Sequence, residues 1–351
     1  MPATTDSVTE LDRRFLAAAV RLGASRLGMT WPNPSVGCLV VKDGIVVSQG
    51  ITGDGGRPHG ERLALDRAGE AARGATAYVS LEPCNHHGKT PPCTEALIAS
   101  GIAKVVIALG DTDPRVCGSG INRLQENGIA VVVEPDKAIR QAALKAHRGH
   151  LKRIAQGRPF VTLKMALSAD GGIGIKGEGQ VAITSEQSNR MTHGVRSRFD
   201  AIGIGSGTLR ADDPLLTVRR PGLSHRSPVA VLFGGSGFDV TKLVNTRPAE
   251  ELIHLPGHDL QAGLQTLGER GLTSLLVEGG ARLAKAFLEA HLVDELILLK
   301  GEPVLGPKAI RPFPSDPFDD LKAADIDGWK VTERRRIGPD RLMRLAPPTN
   351  L

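Results

Sequence analysis

The sequence predicts an α/β protein of two unlike domains, and three observations lead there. Short β-branched runs alternate with amphipathic stretches along most of the 351 residues, the pattern of layered α/β architecture. That length suffices for two domains of ordinary size. A charged stretch, "AHRGHLKRIAQGRP" from Ala146 to Pro159, ends in Gly157 and Pro159 and separates two such alternating series. The expected domains are therefore 1–150 and 158–351. No repeat of fixed period and no low-complexity tract relates the halves, so they are different domains.

Each element has its own signal. Glu10 to Leu27 has helical spacing, with Leu11, Phe15, Leu16, Ala19 and Val20 on one face. "SVGCLVVKDGIVVSQG" reads as a hairpin around the turn pair Asp43-Gly44. His59 to Arg73 reads as a helix ending before Gly74, and Ala75 to Leu81 as a short strand. Thr94 to Ser100 is a helix closed by Gly101, and Lys104 to Leu109 a buried strand. Beyond the boundary, "FVTLKMAL", "DAIGIG", "SPVAVLF" and "SLLVEGG" read as strands. The last feeds the helix "ARLAKAFLEAHL", and "DELILLK" closes the series.

Composition narrows the function class. The chain is 40% hydrophobic, 23% charged and 3% aromatic, with a formal charge of +6. That mild excess suits phosphorylated small molecules and is no nucleic-acid signature by itself. Basic residues do not interleave with aromatics, which argues against a stacking platform for single strands. "MPATTDSVTELDRRF" has no basic-then-apolar run and is not read as a secretory leader. No apolar run approaches the length of a membrane span. The four cysteines, Cys38, Cys84, Cys93 and Cys117, are too few for a disulfide scaffold, so the expected compartment is the cytoplasm.

His59, Glu61, Cys84 and Cys93 fall within one short stretch. Catalytic zinc takes three protein ligands and keeps one position for water. His59, Cys84 and Cys93 supply one imidazole and two thiolates. Both ligand-bearing stretches stand where helices begin, and Pro91 and Pro92 fit a helix first turn just before Cys93. The positive end of a helix favours thiolate over thiol. Glu61, two residues beyond His59, is placed to take a proton from water at the metal and hand it to a leaving amine. That is the general arrangement of zinc-dependent nucleobase deaminases. A His-x-Glu triplet or a cysteine pair alone is commonplace, and the metal reading rests on their conjunction with the prolines. Cys38 and Cys117 have no such company and read as ordinary thiols. His86 and His87 read at most as loop residues on the substrate side.

"PNPSVGCLVVKDG", "HGE", "LEPCNHHGKTPPC" and "ALGDTDPRVCGSG" resemble the deaminase half of the bifunctional deaminase-reductases of riboflavin biosynthesis. The resemblance extends over almost the whole chain. It implies a cytidine-deaminase-like α/β/α domain with zinc on His59, Cys84 and Cys93, Glu61 as proton shuttle and Asn33 seating the pyrimidine ring. The long Cys84-to-Cys93 spacing is informative, because cytidine and tRNA-adenosine deaminases usually have only two residues between these cysteines. Gly60 departs from the family, which usually has Ala there. It is expected to add backbone freedom without removing a chemical group.

The second half carries less chemistry that spacing reveals. Gly203, Gly205 and Gly207 end a strand without the full dinucleotide fingerprint. Gly279 and Gly280 join a strand to a helix, where a bound phosphate and a plain turn explain them equally well. Further motifs, "LKMALSADG", "DAIGIGSGTLRADDPLLTVR" and "LLVEGGARLAKAFL", are similar to the family's reductase half. That resemblance implies a dihydrofolate-reductase-like α/β domain. It also implies NADPH at Ala166, Thr208, Asp212 and Gly280, and substrate at Arg196, Leu216, Arg219 and Glu278. Without it, Arg196 and Arg219 would read as solvated charges. The glycine-rich residues 168–182 depart from the family and receive no contact.

The resemblance thus implies two reactions. Zinc-dependent hydrolysis would remove the 2-amino group of 2,5-diamino-6-ribosylamino-4(3H)-pyrimidinone 5′-phosphate, and NADPH would then reduce the ribosyl group to a ribityl chain. The expected partner is that phosphorylated pyrimidine, with no nucleic acid and no membrane. A homo-oligomer stays open, with "HLVDELILL" as its candidate edge. Two rival readings stand beside this one. A nucleic-acid base deaminase with a C-terminal binding domain suits the mild basicity but not the cysteine spacing or "GTLRADDP". A non-enzymatic protein with a structural zinc would need four closed protein ligands, and three are evident.

Overall fold

The computed structural model describes residues 8–113, 116–134 and 136–348. The first seven residues, and Pro114 and Arg115 of the "ALGDTDPRVCGSG" motif, lie outside the described residues. The chain divides into two compact units. One is Met1–Arg158 with Gly268–Thr273, and the other is Pro159–Leu267 with Ser274–Leu351.

The first unit runs α1 (Glu10–Ala24), β1 (Gly37–Lys42), β2 (Ile45–Ile51), α2 (Gly60–Ala68) and β3 (Thr76–Val79). It continues with α3 (Cys93–Ala99), β4 (Lys104–Ile107), α4 (Ser119–Glu126), β5 (Ala130–Val133) and α5 (Lys137–Gln156). The sheet order is β2-β1-β3-β4-β5. β1 is antiparallel to both neighbours, while β3, β4 and β5 are mutually parallel. β2 and β3 therefore run the same way, and the helices that follow them start at the same end of the sheet. α1 packs on β1, β3 and α5, and α2 packs on β1, β2 and α3. Asp43 and Gly44 have φ of 51° and 76° and form the left-handed pair the β1–β2 hairpin needs.

Two expectations are corrected here. Leu11 is 50% exposed, and the buried stripe of α1 is Asp12, Leu16, Ala19, Val20 and Gly23. Asp12 closes a capping box with Thr9 and accepts a 2.6 Å bond from Tyr78 Oη, so a polar residue occupies a core-facing position. The helix from His59 breaks early, because Gly69 (φ 52°) ends α2 and a 3₁₀ turn takes Gly69–Ala72. The charged stretch from Ala146 is the second half of α5, which Asp136 caps and left-handed Gly157 ends.

The second unit runs β6 (Phe160–Leu167), α6 (Glu186–Arg196), β7 (Ala201–Gly205), α7 (Ser206–Asp212) and β8 (Val229–Phe233). α8 (Thr241–Val244), β9 (Leu252–Leu255), α9 (Leu260–Glu269), β10 (Ser274–Val277), α10 (Ala281–Glu289) and β11 (Glu295–Lys300) follow. β12 (Lys330–Ile337) and β13 (Asp340–Ala346) form a closing hairpin that sequence patterning missed. The sheet order is β12-β13-β11-β6-β10-β7-β8-β9. The run from β11 to β9 is parallel, and only the hairpin is antiparallel. β11 lies between β13 and β6, so "HLVDELILL" presents no free edge and that expectation fails. In such a sheet, ligands sit outside the carboxyl ends of the strands.

Burial generates a direct test in α1. Leu16→Ala should cost the first unit about 2–5 kcal/mol, and Leu11→Ala no more than about 0.5 kcal/mol. Urea unfolding followed by circular dichroism checks this, and equal losses would contradict the stripe described.

Candidate active site

The start of α2 and the start of α3 bring together the first unit's donors. His59 occupies the N-cap of α2, and Cys93 is the first residue of α3. Pro92 is the N-cap of α3, so the two prolines lead into the helix and do not form its first turn. Nδ1 of His59 is 3.3 Å from Sγ of Cys93 and 3.5 Å from Sγ of Cys84. One donor atom from each of the three lies within 4.8 Å of the others, and among the described residues no other group of His, Cys, Asp and Glu does so. Tetrahedral zinc with Zn–N near ~2.0 Å and Zn–S near ~2.3 Å separates such donors by about 3.5 Å. The spacing fits.

Hydrogen bonding and burial act on the two cysteines in opposite directions. Cys84 Sγ accepts a hydrogen bond from the Cys93 thiol and a 3.3 Å bond from the Cys93 amide. These, with His59 beside it and against burial, bring the Cys84 pKa down to about 4. Donation to Cys84, together with burial, pushes the Cys93 thiol up. Glu61 is 3% exposed, its Oε2 is buried without a hydrogen-bond partner, and burial raises its pKa. Asn33 Nδ2 donates to Gly56 O at 2.9 Å and lies 3.4 Å from His59 Nε2. A Cβ on Gly60 would lie 2.4 Å from the Val36 carbonyl, and one on Gly50 2.0 Å from the Gly60 carbonyl. Gly60 therefore serves close approach of helix to strand and not the backbone freedom expected of it.

The neighbouring loops are tied to this cluster. Asn85 Oδ1 accepts from Thr94 Oγ1 at 2.9 Å, and Asn85 Nδ2 donates to Ser119 O. His87 is exposed and faces Glu95, while Nδ1 of His86 is buried without a partner. Cys38 is buried in the core and Cys117 is exposed. Glu82 escaped the sequence reading. Its buried carboxylate accepts from the amides of Asp111, Gly118, Gly120 and Ile121 at 3.2–3.4 Å. Only its place before Pro83-Cys84 hinted at it.

In the second unit the named residues lie at or beyond the carboxyl ends of β6, β7 and β10, except Arg196, which closes α6. Arg196 donates Nε and Nη2 to the Glu278 carboxylate at 2.9 and 2.8 Å, and Nη1 to Thr217 O at 3.2 Å. Burial works to raise the Glu278 pKa, but Arg196 and Lys164 overcome it and hold it at about 2. Lys164 was missed because it sits within an apolar strand. Its exception to the pattern, on the same face of β6 as Ala166, was the available signal. Burial lowers the Lys164 pKa. Thr208 Oγ1 accepts the Gly280 amide at 2.9 Å, which occupies one of the donors a phosphate would use. Burial raises the Asp212 pKa. Arg219 is exposed, with its amide on His193 Nδ1 at 3.2 Å. Leu216 is 2% exposed and packs in the core with Ile202, Ile204 and Leu232. With that side chain in the core, it is the Leu216 backbone that a substrate would meet.

Residues 9–109 match the cytidine and deoxycytidylate deaminase zinc-binding region, and residues 159–340 match the RibD C-terminal domain. The riboflavin biosynthesis protein RibD of Escherichia coli is 37% identical over 367 residues, covering 95% of this chain and 99% of that one. This chain belongs to the RibD family. It is accordingly a bifunctional deaminase and reductase of riboflavin biosynthesis, with a zinc-binding deaminase domain. The solved RibD of Acinetobacter baumannii (form 1) superposes with a TM-score of 0.87 at 32% identity, covering 97% of this chain and 99% of that one. A diaminohydroxyphosphoribosylaminopyrimidine deaminase/5-amino-6-(5-phosphoribosylamino)uracil reductase from Thermotoga maritima gives 0.81 at 29% identity, covering 96% and 99%. Among the described residues no helix is long and apolar enough to cross a membrane.

The Arg196–Glu278 pair predicts a pH dependence. Its carboxylate pKa is depressed to about 2 from 4.5, so the stability it contributes is complete above the unfolded value and is lost as pH falls toward 2. The melting temperatures of wild type and Glu278→Gln should converge on acidification through that window. A gap that stays constant from pH 6 to pH 2.5 would contradict the pairing.

Proposed function

We propose that the first unit deaminates 2,5-diamino-6-ribosylamino-4(3H)-pyrimidinone 5′-phosphate, and that the second reduces the product's ribosyl group to a ribityl chain with NADPH. The observation that carries the first half is a three-donor cluster beside a buried carboxylate with an unpartnered oxygen. His59 Nδ1, Cys84 Sγ and Cys93 Sγ would hold the zinc, which when bound makes water acidic enough to ionise near neutral pH. Glu61 takes a proton from water, and the water oxygen adds to the ring carbon bearing the 2-amino group. The same carboxyl then gives its proton to the departing nitrogen, the carbon–nitrogen bond breaks and ammonia leaves. A carboxyl whose pKa burial has raised suits both the taking and the giving of that proton. Asn33, with Nδ2 committed to Gly56, keeps Oδ1 as an acceptor for a ring N–H.

In the second unit NADPH carries the hydride, and the protein has to position it. Ala166, Thr208, Asp212 and Gly280 are the residues we place at the cofactor. Arg196, Glu278, Arg219 and the Leu216 backbone are those we place at the substrate. Arg196 uses three of its five N–H donors within the protein, so its role is to hold Glu278 ionised and oriented as much as to touch substrate. The free state of Cys38, Cys84, Cys93 and Cys117 supports a reducing, cytoplasmic setting. The three-member donor set supports a catalytic over a structural zinc.

Mass spectrometry of the pyrimidine phosphate after incubation with zinc-loaded protein tests the whole reading. Without NADPH the product should be the deaminated pyrimidine, and with NADPH it should gain two further hydrogens. Unchanged substrate under both conditions would sink the proposal. Glu61→Gln should keep its zinc, lose deamination by about 10²–10⁴-fold and still reduce pre-deaminated substrate. Loss of both activities together would count against independent sites.

A further inference from the structure

We propose that Arg247 is a positioning residue of the reductase site, holding a short run of backbone amides open beside Arg196 and Arg219. The run lies between α7 and β8. Alternate carbonyls along it are each taken by a cation: Asp213 O by Lys242 Nζ at 2.6 Å, Leu215 O by Arg247 Nη2 at 2.5 Å and Thr217 O by Arg196 Nη1 at 3.2 Å. The amides of Val218 and Arg219 are taken by Ser227 Oγ and His193 Nδ1. Those of Leu215, Leu216 and Thr217 have no hydrogen-bond partner among the described residues. Asp213, at φ 37°, is the left-handed C-cap of α7, an ordinary place for Asp, whereas Leu216 sits at φ 54°, a left-handed backbone that a leucine adopts only when its surroundings compel it.

Arg247 supplies much of that compulsion. It is 9% exposed, and among the described residues no carboxylate lies within hydrogen-bond reach, Glu251 acting only from a distance, and its Nε is buried without a partner. Its second terminal nitrogen donates to Pro228 O at 3.2 Å, which ties the run to the residue before β8. Burying a guanidinium for the sake of two carbonyls is costly, so the arrangement calls for a gain elsewhere. In a trans peptide the N–H lies opposite the C=O, so a Leu215 carbonyl drawn to Arg247 turns the Leu216 amide away from it. A carbonyl polarised by a cation also makes its own peptide N–H a better donor. Consecutive unpartnered amides suit an anionic oxygen. That this oxygen belongs to the substrate's phosphate rests on the function proposed above; that Arg247 sets the geometry does not.

The test uses the full-length, zinc-loaded chain as wild type, Arg247→Met and Arg247→Lys. It measures steady-state reduction of the pre-deaminated ribosylaminopyrimidine phosphate, with inorganic phosphate as competing anion. Arg247→Met should raise the substrate KM and the phosphate inhibition constant by about tenfold or more, a loss typical of a charged hydrogen bond. kcat, the KM for NADPH and deamination should stay within about twofold, since the chemistry and the other unit are untouched. Arg247→Lys keeps the charge but not the two-pronged grip, and should fall between the two. Unchanged substrate KM and phosphate inhibition in a folded Arg247→Met protein would overturn the inference. So would a fall in kcat and reductase-unit stability together with a rise in both KM values, which marks a merely structural residue. Arg219→Ala in the same assay separates the two ideas. If it leaves both constants unmoved while Arg247→Met raises them, the placing of substrate at Arg219 fails and the role of Arg247 stands.

Discussion

The first unit depends on two helices starting at one end of one sheet. β2 and β3 run the same way only because β1 runs against both, and α2 and α3 follow from them. That topology carries His59 and Cys93 to a common point, with Cys84 on the way from β3 to α3. The Gly50–Gly60 approach lets α2 sit close enough for the imidazole to reach its thiolates, and a side chain at either glycine would collide with backbone. The ligand set is therefore a consequence of strand direction and of two missing side chains.

Three carboxylates, two buried and one partly so, show how the chain decides which group does chemistry. Glu82 is surrounded by four backbone amides and holds loops together. Glu278 is gripped by Arg196 and influenced by Lys164, and it stays charged. Glu61 has neither cation nor amides enough to fix it, and its pKa rises. The difference lies in the compensation, and of the three only Glu61 keeps a buried carboxylate oxygen without a partner among the described residues.

Much of this was legible in the sequence. The hairpin at Asp43-Gly44, strands β3, β4, β6, β7, β8, β10 and β11, and the His59, Cys84 and Cys93 cluster were carried by local signals that the fold does not overrule, whereas β5 and β9 escaped them. Other features depend on tertiary pairing. Asp12 carries no local signal of burial, and its place in the core comes from Tyr78, on a strand far along the chain, which bonds to it. Lys164 was masked by the apolar run around it, and its meaning comes from Glu278 more than a hundred residues later. Leu216 carried a functional motif, but which part of the residue faces outward depends on a left-handed φ that no periodicity encodes. The closing hairpin, β12 and β13, is so rich in arginine that its strand pattern reads as a charged surface.

The segment from Asn85 to Pro92 is a closed loop once metal is bound. Its ends are the two cysteines, so with metal bound it is cross-linked whatever its length. Loop-closure entropy grows slowly, about 0.6 kcal/mol for each doubling, so widening such a loop from two residues to eight costs on the order of 1.2 kcal/mol. Against the free energy of a zinc–thiolate site that is small. The metal thus acts as a clasp, and the exposed residues between its thiolates are free to lengthen and change while the chemistry at the clasp stays fixed. A deaminase scaffold built this way can be refitted to a bulkier substrate, such as one carrying a sugar phosphate, by altering a part that neither folds the sheet nor binds the ion.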